Sequence, residues 1–351
     1  MITYTDTILK FKPLREIGAE GRNSQVVIAH DPQLNAELVI KKITKKENME
    51  EVKFFEESQM LYATQHPNIM PIRYATQDED FIYIAMEHYE KGSLNTLMNE
   101  RHITARELIK FSLEFLSGVQ FMHSKGLVHL DIKPTNILIN NSNKAVVTDF
   151  GTSKYLNELG LVEIDPLYPL HFPPEAVNTD RASHLSDIYQ IGLTMYRMAN
   201  GNALFVRQLK DLNITSNEEL AASIKAGIFP KREMFLPHIP LSLRKIILKA
   251  LSLKPEDRYE DVMSLMNELA SLDKNLDWSY NTINGNIRSN LTSTTGNMQH
   301  EVFFFQDDQG SWYTEGYKTN LETGRKTRVK DHFSNAHKTL SKAFEFIRKK
   351  L

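Results

Sequence analysis

Residues 128–136 read Val-His-Leu-Asp-Ile-Lys-Pro-Thr-Asn, and residues 147–151 read Val-Thr-Asp-Phe-Gly. Both stretches begin in a short apolar segment, and we predict buried strands over 128–130 and 145–147 beside the polar loops. Together they supply two carboxylates, an ammonium group and an amide. Any one of these residues alone is typical of a solvated loop, so the information lies in the spaced set.

The polar residues of these two loops suit the transfer of a phosphoryl group. Asp131 can accept the proton of an attacking hydroxyl group, while Asn136 and Asp149 offer the hard oxygen ligands that Mg²⁺ prefers. Lys133 follows Asp131 by two positions in an extended segment and therefore lies on the same side. Its ammonium group can neutralise charge on the transferred phosphoryl group.

The two loops resemble those of the eukaryotic-type (Hanks-type) serine/threonine protein kinases, and the resemblance extends over roughly residues 11–270. It implies that Asp131 is the catalytic base, that Lys133 is the phosphate-neutralising lysine, and that Asn136 and Asp149 are the metal ligands. The implied cofactors are ATP and Mg²⁺, and the implied partner is a protein substrate with a Ser or Thr acceptor.

The resemblance also implies a nucleotide site in the first ninety residues. Lys41 ends a Leu-Val-Ile-Lys motif and would hold the ATP phosphates, with Glu57 on the following helix as its ion-pair partner. Tyr89 closes a hinge that would read adenine through backbone groups. The remaining residues implied to line this site are Gly18, Gly21, Ser24, Val26, Met86 and Glu87.

Three residues depart from the family's pattern. Leu130 replaces the arginine that usually receives a phosphate of the activation segment. Ser24 stands where the family has the third glycine of its phosphate-binding loop, and Tyr168 replaces the threonine that usually braces the catalytic aspartate and lysine. These departures motivate an alternative, namely a pseudokinase or scaffold that binds nucleotide and a partner without efficient catalysis. The presence of the complete catalytic set argues against this alternative.

The missing arginine agrees with a second feature of the sequence. No Ser or Thr occurs between Leu156 and Pro174. We therefore predict a serine/threonine kinase that does not depend on phosphorylation of its activation segment. Residues near the ends of the segment that remain candidate phosphorylation sites are Thr152, Ser153, Tyr155 and Tyr168.

The pattern along the chain predicts an α+β protein with a bilobal, protein-kinase-like fold. We expect an N-lobe of antiparallel sheet plus one helix over about residues 1–88, with the helix at 46–65. A mainly helical C-lobe is expected over about 89–272, and its helix at 105–125 has an apolar stripe from Leu108 to Met122. In residues 273–299, thirteen of 27 residues are Asn, Ser or Thr, which predicts a linker or an irregular hairpin with a turn at Asn284-Gly285. Three strands, over 300–306, 311–320 and 325–333, and a helix capped by Ser334 are expected in an accessory domain over 300–351.

Composition separates the chain into two parts of opposite charge. The formal net charge is −2, but residues 310–351 carry +6 and the preceding residues −8. The chain contains no cysteine, which excludes disulfides, thiolate nucleophiles and cysteine-based metal sites. No apolar run approaches a membrane span and no signal-peptide core is visible, so the sequence predicts a cytoplasmic protein.

Basic and aromatic residues alternate in the accessory domain. Alternation in the stretch 323–329 places Lys326 and Arg328 on one face and Arg325 on the other. We expect a solvated surface or a dock for a protein partner. The alternatives are nucleic acid, since the layout faintly resembles three-stranded DNA-binding modules, and an acidic membrane surface.

Overall fold

The computed structural model describes residues 8–21, 24–45, 55–164, 169–283 and 288–351. Its first unit is one antiparallel sheet in which the fifth strand lies between the third and the fourth. β-branched residues such as Val39 and Ile40 fill the central strand, as is typical of a half-buried pleated surface. The strands are β1 (Lys12–Gly21), β2 (Ser24–Asp31), β3 (Ala36–Thr44), β4 (Ile72–Gln77) and β5 (Phe81–Glu87).

One helix, α1 (Glu56–Ala63), packs against this sheet. Its Leu61 is buried in a cluster with residues of β5. The helix ends at Thr64, and His66-Pro67 follows, because proline disfavours helical angles in the residue before it. The predicted helix began at residue 46, but residues 46–54 lie outside the described part of the chain.

The second unit is mainly helical. Thr104 begins its longest helix with a capping box, and the predicted apolar stripe from Leu108 to Met122 is confirmed as buried. Gly192 allows the central helix to approach Ala250 closely, since an added Cβ at residue 192 would lie 2.9 Å from the alanine Cβ. The helices are α2 (Leu94–Glu100), α3 (Ala105–Ser124), α4 (Ala176–Thr179), α5 (His184–Asn200), α6 (Asn202–Asp211), α7 (Asn217–Lys225), α8 (Leu241–Ala250) and α9 (Val262–Ala270).

Short strand pairs frame the loops quoted first. A strand was predicted over 128–130, but it ends at Val128 because Leu130 adopts a left-handed backbone with φ of 67°. Residues 129–136 therefore form a loop that finishes in a 3₁₀ turn, Pro134–Asn136. The strands are β6 (Leu127–Val128), β7 (Ile137–Ile139), β8 (Ala145–Val147), β9 (Lys154–Tyr155), β10 (Val162–Glu163) and β11 (Arg181–Ala182), paired as β6–β9, β7–β8 and β10–β11.

The last unit is a five-stranded antiparallel sheet whose strands follow one another in chain order. One helix, α10 (Leu340–Arg348), packs on its inner face, where the rings of Phe304 and Phe344 lie 4.9 Å apart. Leu236 of the C-lobe belongs to the same apolar cluster, so this unit is seated on the C-lobe. The strands are β12 (Ser279–Ile283), β13 (Arg288–Thr295), β14 (Met298–Gln306), β15 (Trp312–Asn320) and β16 (Lys326–Arg328).

Of the linker and the hairpin predicted for the Asn/Ser/Thr-rich stretch, the structure shows the hairpin: β12 and β13 pair as antiparallel neighbours, and their buried Tyr280 and Leu291 hold these polar strands on the core. The expected turn at 284–285 lies outside the described residues. Two other expectations for this unit differ from the structure. The predicted strand 325–333 shortens to β16 and a 3₁₀ turn, Lys330–His332. Thr339 caps α10, whereas the hydroxyl of Ser334 accepts the Thr314 amide hydrogen at 3.0 Å.

No helix within the described ranges is long and apolar enough to cross a membrane.

Candidate active site

Helix α5 fixes the loop 129–136 through a buried carboxylate. Asp187 is fully buried and accepts backbone hydrogen bonds from His129 at 2.9 Å and from Leu130 at 2.8 Å. Burial opposes ionisation of this carboxyl group, but its hydrogen bond with His123 and the nearby imidazoles hold the pKa of Asp187 below its ordinary value. Asp187 thus fixes the backbone immediately before Asp131.

A second side chain on the same helix holds the other half of the loop, and the sequence analysis missed it. The side-chain oxygen of Gln190 accepts the Ile132 amide hydrogen at 2.9 Å, and its nitrogen donates to the Leu130 carbonyl at 2.7 Å. Thr194, one turn later, donates to the Ile132 carbonyl at 3.2 Å. The signal that predicts this role is the three-residue spacing from Asp187, which places both side chains on one helix face.

Asp131 is the centre of a compact polar group. Its Oδ2 lies 3.0 Å from Lys133 Nζ and accepts a hydrogen bond of 2.8 Å from Asn136 Nδ2. The 3₁₀ turn brings Asn136 back over the loop, and its amide also donates to the Asp131 carbonyl at 3.0 Å. Burial raises the pKa of Asp131 above its ordinary value, although the Lys133 ammonium partly offsets this effect.

Lys41 joins the sheet to the opposite side of the site. Its Nζ lies 2.7 Å from Glu57 Oε1 on α1 and 2.8 Å from Asp149 Oδ1 in the second loop. Burial favours the neutral amine, but the two carboxylates outweigh it and raise the pKa of Lys41. Burial raises the pKa of Glu57 despite the neighbouring ammonium. The predicted lysine, helix glutamate and loop aspartate are therefore in direct contact.

Asp149 occupies a left-handed backbone conformation with φ of 66° between β8 and β9. Its side chain is 44% exposed, so one oxygen pairs with Lys41 while the carboxylate still borders the cleft. Burial opposes ionisation, but the Lys41 ammonium outweighs it and lowers the pKa of Asp149. The ring of Phe150 packs 5.5 Å from that of His129, which links the second loop to the first.

The predicted nucleotide-contacting residues lie along the first three strands and on β5. Val26 pairs directly with Gly18 on one side and with Lys41 on the other, so these positions share one part of the sheet. Gly21 pairs with Ser24 at the end of the same hairpin, whose residues 22–23 lie outside the described ranges.

The predicted hinge follows β5. Met86 is 8% exposed and packs in the sheet core, which fits an apolar wall at the back of the cleft. The Glu87 carboxylate pairs with the Arg73 guanidinium and accepts a hydrogen bond of 3.0 Å from the Tyr89 hydroxyl group. The Glu87 side chain is therefore occupied by partners within the protein, which is compatible with the predicted reading of adenine by backbone groups.

Leu130 anchors the segment that follows the second loop. It is 1% exposed and packs with Val162 and Ile164 of that segment and with Ala182 beyond it. An apolar contact thus stands at the position where the family usually has a charged one. Backbone contacts also hold this segment. Strand β10 pairs with β11, and the Ile164 amide donates to the Asp180 carbonyl at 3.0 Å.

The candidate phosphorylation sites differ in access. The Thr152 and Ser153 hydroxyl groups both donate to the His129 carbonyl, at 3.0 Å and 3.5 Å. Tyr155 is 53% exposed, and Tyr168 lies outside the described residues.

A buried ion pair closes the lower end of the segment. Arg258 donates to both carboxylate oxygens of Glu175, at 2.8 Å and 2.6 Å, and its own side chain is fully buried. Ser186 donates to the same carboxylate at 2.9 Å. The pair therefore ties the segment to α5, since Arg258 also donates to the Leu185 carbonyl of that helix.

The protein kinase domain model matches residues 11–269, and the chain belongs to this family. The chain is 28% identical over 271 residues to the probable serine/threonine-protein kinase PknB of Lactococcus lactis, which covers 75% of this chain and 42% of the relative. It is 29% identical over 262 residues to the serine/threonine-protein kinase PrkC of Bacillus subtilis, covering 72% and 38%. It therefore spans about 40% of the length of these relatives.

Proposed function

We propose that this protein is an active serine/threonine protein kinase that transfers the γ-phosphoryl group of ATP to Ser or Thr hydroxyl groups of a protein. The observation that carries the proposal is the Lys41 ammonium group bonded to both Glu57 and Asp149. Lys133 favours serine/threonine substrates, since tyrosine kinases usually carry other residues there, and the relatives' names agree. Because ATP is the donor, we place the activity in the cytoplasm.

Asp131 acts as the base in this proposal. Lys133 and Asn136 both contact its Oδ2, so we assign Oδ1 as the acceptor of the substrate hydroxyl proton. A raised pKa makes this carboxylate a better base than an ordinary aspartate. Lys133, held beside it, stabilises negative charge that develops on the phosphoryl oxygens.

Mg²⁺ fits the oxygen donors of the cleft. Asp149 has a carboxylate at the cleft edge. Asn136 donates through its nitrogen, and its side-chain oxygen, which accepts one long hydrogen bond of 3.4 Å from Thr135, has a further lone pair to offer a metal. The described residues contain no group of three or more acidic or histidine side chains able to hold a metal, and Mg²⁺ commonly needs only one or two protein oxygens plus substrate phosphates. When bound, the metal neutralises phosphate charge.

We further propose that activity does not require phosphorylation of the activation segment. Support comes from Leu130, whose buried contacts with Val162 and Ile164 hold the segment where an arginine–phosphate contact would otherwise be needed. The hydroxyl groups of Thr152 and Ser153 are hydrogen-bonded to the His129 carbonyl, which also argues against a requirement for their phosphorylation.

We also propose that residues 1–272 form the kinase domain and that residues 273–299 join 300–351 in one accessory unit, because β12 and β13 pair in its sheet.

We propose a protein partner for the basic face of the accessory unit, the sheet face that carries Lys326 and Arg328. Lys326 lies 4.6 Å from the centre of the Tyr317 ring, and Arg288 lies 5.4 Å from the centre of the Phe303 ring. Cations of the same face therefore already cover these rings, which leaves them less available for stacking on nucleic-acid bases. Binding to DNA or RNA that weakens with salt would instead favour the nucleic-acid alternative.

Labelled ATP and the intact chain test the proposed activity. The wild type should label itself or a general protein substrate, whereas Asp131→Asn and Asp149→Ala should lose transfer while retaining the wild-type circular dichroism spectrum. Nucleotide binding without any transfer in the wild type would establish the pseudokinase alternative. Full transfer by Asp149→Ala would refute the residue assignment.

A further inference from the structure

A fully buried histidine connects the activation segment to the loop 129–136. His171 ends a 3₁₀ turn, Pro169–His171, and is 1% exposed. Its Nδ1 lies 3.1 Å from the carbonyl oxygen of Ile132 in that loop. The backbone carbonyl of His171 accepts a hydrogen bond of 3.3 Å from the Gln190 side chain, which also holds the loop. Both the side chain and the backbone of His171 are therefore anchored at the loop and its support.

The second ring nitrogen fixes the tautomer of His171. Its Nε2 lies 2.9 Å from Nη1 of Arg197 on α5. A guanidinium group can only donate hydrogen bonds and a carbonyl oxygen can only accept them. Nε2 is therefore the acceptor nitrogen, and Nδ1 carries the hydrogen that it donates to the Ile132 carbonyl. Burial, together with the charges of Arg197 and Lys133, holds the pKa of His171 well below its ordinary value, so the imidazole is neutral.

Arg197 is itself held in place by two other helices. Its Nη2 donates to the side-chain oxygens of Asn95 on α2 and Asn202 on α6, at 3.2 Å and 2.8 Å. Asn202 in turn donates to Asn95 at 2.8 Å, and the Arg197 guanidinium lies 5.0 Å from the centre of the Phe205 ring. Arg197 therefore presents its Nη1 to His171 from a fixed position.

The Ile132 carbonyl belongs to the peptide unit that leads into Lys133. Thr194 donates to the same oxygen at 3.2 Å, so each of its two lone pairs has a donor. Rotation of this peptide unit would move the Lys133 ammonium group, whose Nζ lies 3.0 Å from Asp131 Oδ2. The hydrogen bond from His171 therefore restrains the geometry that phosphoryl transfer needs.

We propose that His171 is a positioning residue for phosphoryl transfer, which couples the activation segment to the Ile132 carbonyl as an Nδ1-protonated imidazole and so keeps Lys133 beside Asp131. This inference rests on the proposed kinase activity. His171 supplies a brace for the catalytic aspartate and lysine in a chain where Tyr168 stands in place of the family's threonine.

Two substitutions that each keep one half of the imidazole test the proposal. His171→Asn keeps a nitrogen on Cγ, as in Nδ1, and can still donate to the Ile132 carbonyl. His171→Gln places its amide one carbon further out, so it can accept from Arg197 but lacks the donor on Cγ. Because both remove the same buried ring, they should lower the free energy of unfolding by similar amounts.

Initial rates with labelled ATP and a protein substrate, measured on the intact chain, separate the two variants. The kcat of His171→Asn should stay within about threefold of the wild type, whereas that of His171→Gln should fall by about 10- to 100-fold with the KM for ATP unchanged. Equal kcat values in the two variants of an active wild type overturn this inference alone. Absence of transfer by the wild type refutes the proposed function and the inference with it.

Arg197→Met decides the matter if neither histidine variant folds. It makes the Nε2-protonated tautomer available to His171, so kcat should fall by about 3- to 10-fold. The control Arg207→Met removes an exposed arginine of α6 and should have the wild-type kcat. A wild-type kcat in Arg197→Met would overturn the inference.

Nitrogen NMR of the wild type labelled with ¹⁵N-histidine tests the tautomer without reference to activity. The signals of His171 are those absent from the spectrum of a folded His171 variant. Protonation at Nδ1 with an unprotonated Nε2 supports the proposal, and protonation at Nε2 alone overturns it.

Discussion

Replacing Leu130 by alanine tests whether an apolar contact holds the activation segment in place of a phosphate. Leu130 is 1% exposed and packs with Val162, Ile164 and Ala182. Truncating a fully buried leucine to alanine costs about 2–5 kcal/mol, depending on how far the surroundings relax. Alanine tolerates the backbone at this position about as well as leucine, so the cost arises from the lost packing and not from the φ of 67°.

Much of this cost should fall on the docking of the segment, because its contacts are with that segment. If 1.5–3 kcal/mol is lost from the active arrangement, the rate of phosphoryl transfer falls by about 10- to 100-fold. Initial rates with labelled ATP measure this loss, and urea unfolding measures the global change. Leu159→Ala is the matched control, since Leu159 belongs to the same segment but is 82% exposed, and we expect its rate to stay within twofold of the wild type.

Two results would contradict this reasoning. The first is a wild-type rate in Leu130→Ala combined with clear destabilisation, which would show that the contact supports the fold without holding the segment. The second is loss of wild-type activity after phosphatase treatment, which would show that a phosphate is needed after all.

Three further predictions concern the site and its support. The raised pKa of Asp131 places the acidic limb of the pH–rate profile above the ordinary aspartate pKa of about 3.9, and activity should be lost as the pH falls through this limb. Lys133→Met removes the ammonium group that partly offsets the raised pKa, so it should move the limb to higher pH. A shift to lower pH would contradict the assignment. Arg258→Met leaves the Glu175 carboxylate without its ion-pair partner and should lower the free energy of unfolding by about 3–5 kcal/mol. The control Lys342→Met breaks an exposed ion pair and should lower it by less than about 1 kcal/mol in the same urea titration. EDTA should abolish transfer and Mg²⁺ should restore it, and activity that persists in EDTA would exclude the proposed metal requirement.

The kinase fold was predictable because its polar residues occur at fixed separations that one topology explains. Lys41, Glu57 and Asp149 are far apart in sequence, and only a sheet packed on a helix above the second loop brings them within 3.0 Å. The long amphipathic helix α3 was predictable from its periodicity, and the structure adds the Thr104–Glu107 capping box. Local chemistry and global topology agree at these positions.

The accessory unit was harder to predict because its strands carry few apolar residues. In β13 only Leu291 enters the apolar core, so the strand signal is hidden among Asn, Ser and Thr. The cap of α10 was misplaced because Ser334 and Thr339 have the same capping chemistry, and only the sheet contact of Ser334 distinguishes them. The role of Gln190 was missed since a glutamine on a helix carries no motif of its own.

The contacts around the two loops also indicate where control of the enzyme can act. The loop 129–136 is held by Asp187 and Gln190 from one rigid helix, and the segment beyond it is held by Leu130 and by the Arg258–Glu175 pair. None of these contacts involves the N-lobe. Glu57, by contrast, lies on α1 of the N-lobe and contacts the second loop through the Lys41 ammonium group and through a backbone hydrogen bond from Phe150, so a displacement of α1 breaks both contacts. We therefore expect control that acts on the position of α1 to change activity without disturbing the catalytic loop, whereas control through the activation segment must first overcome buried apolar packing.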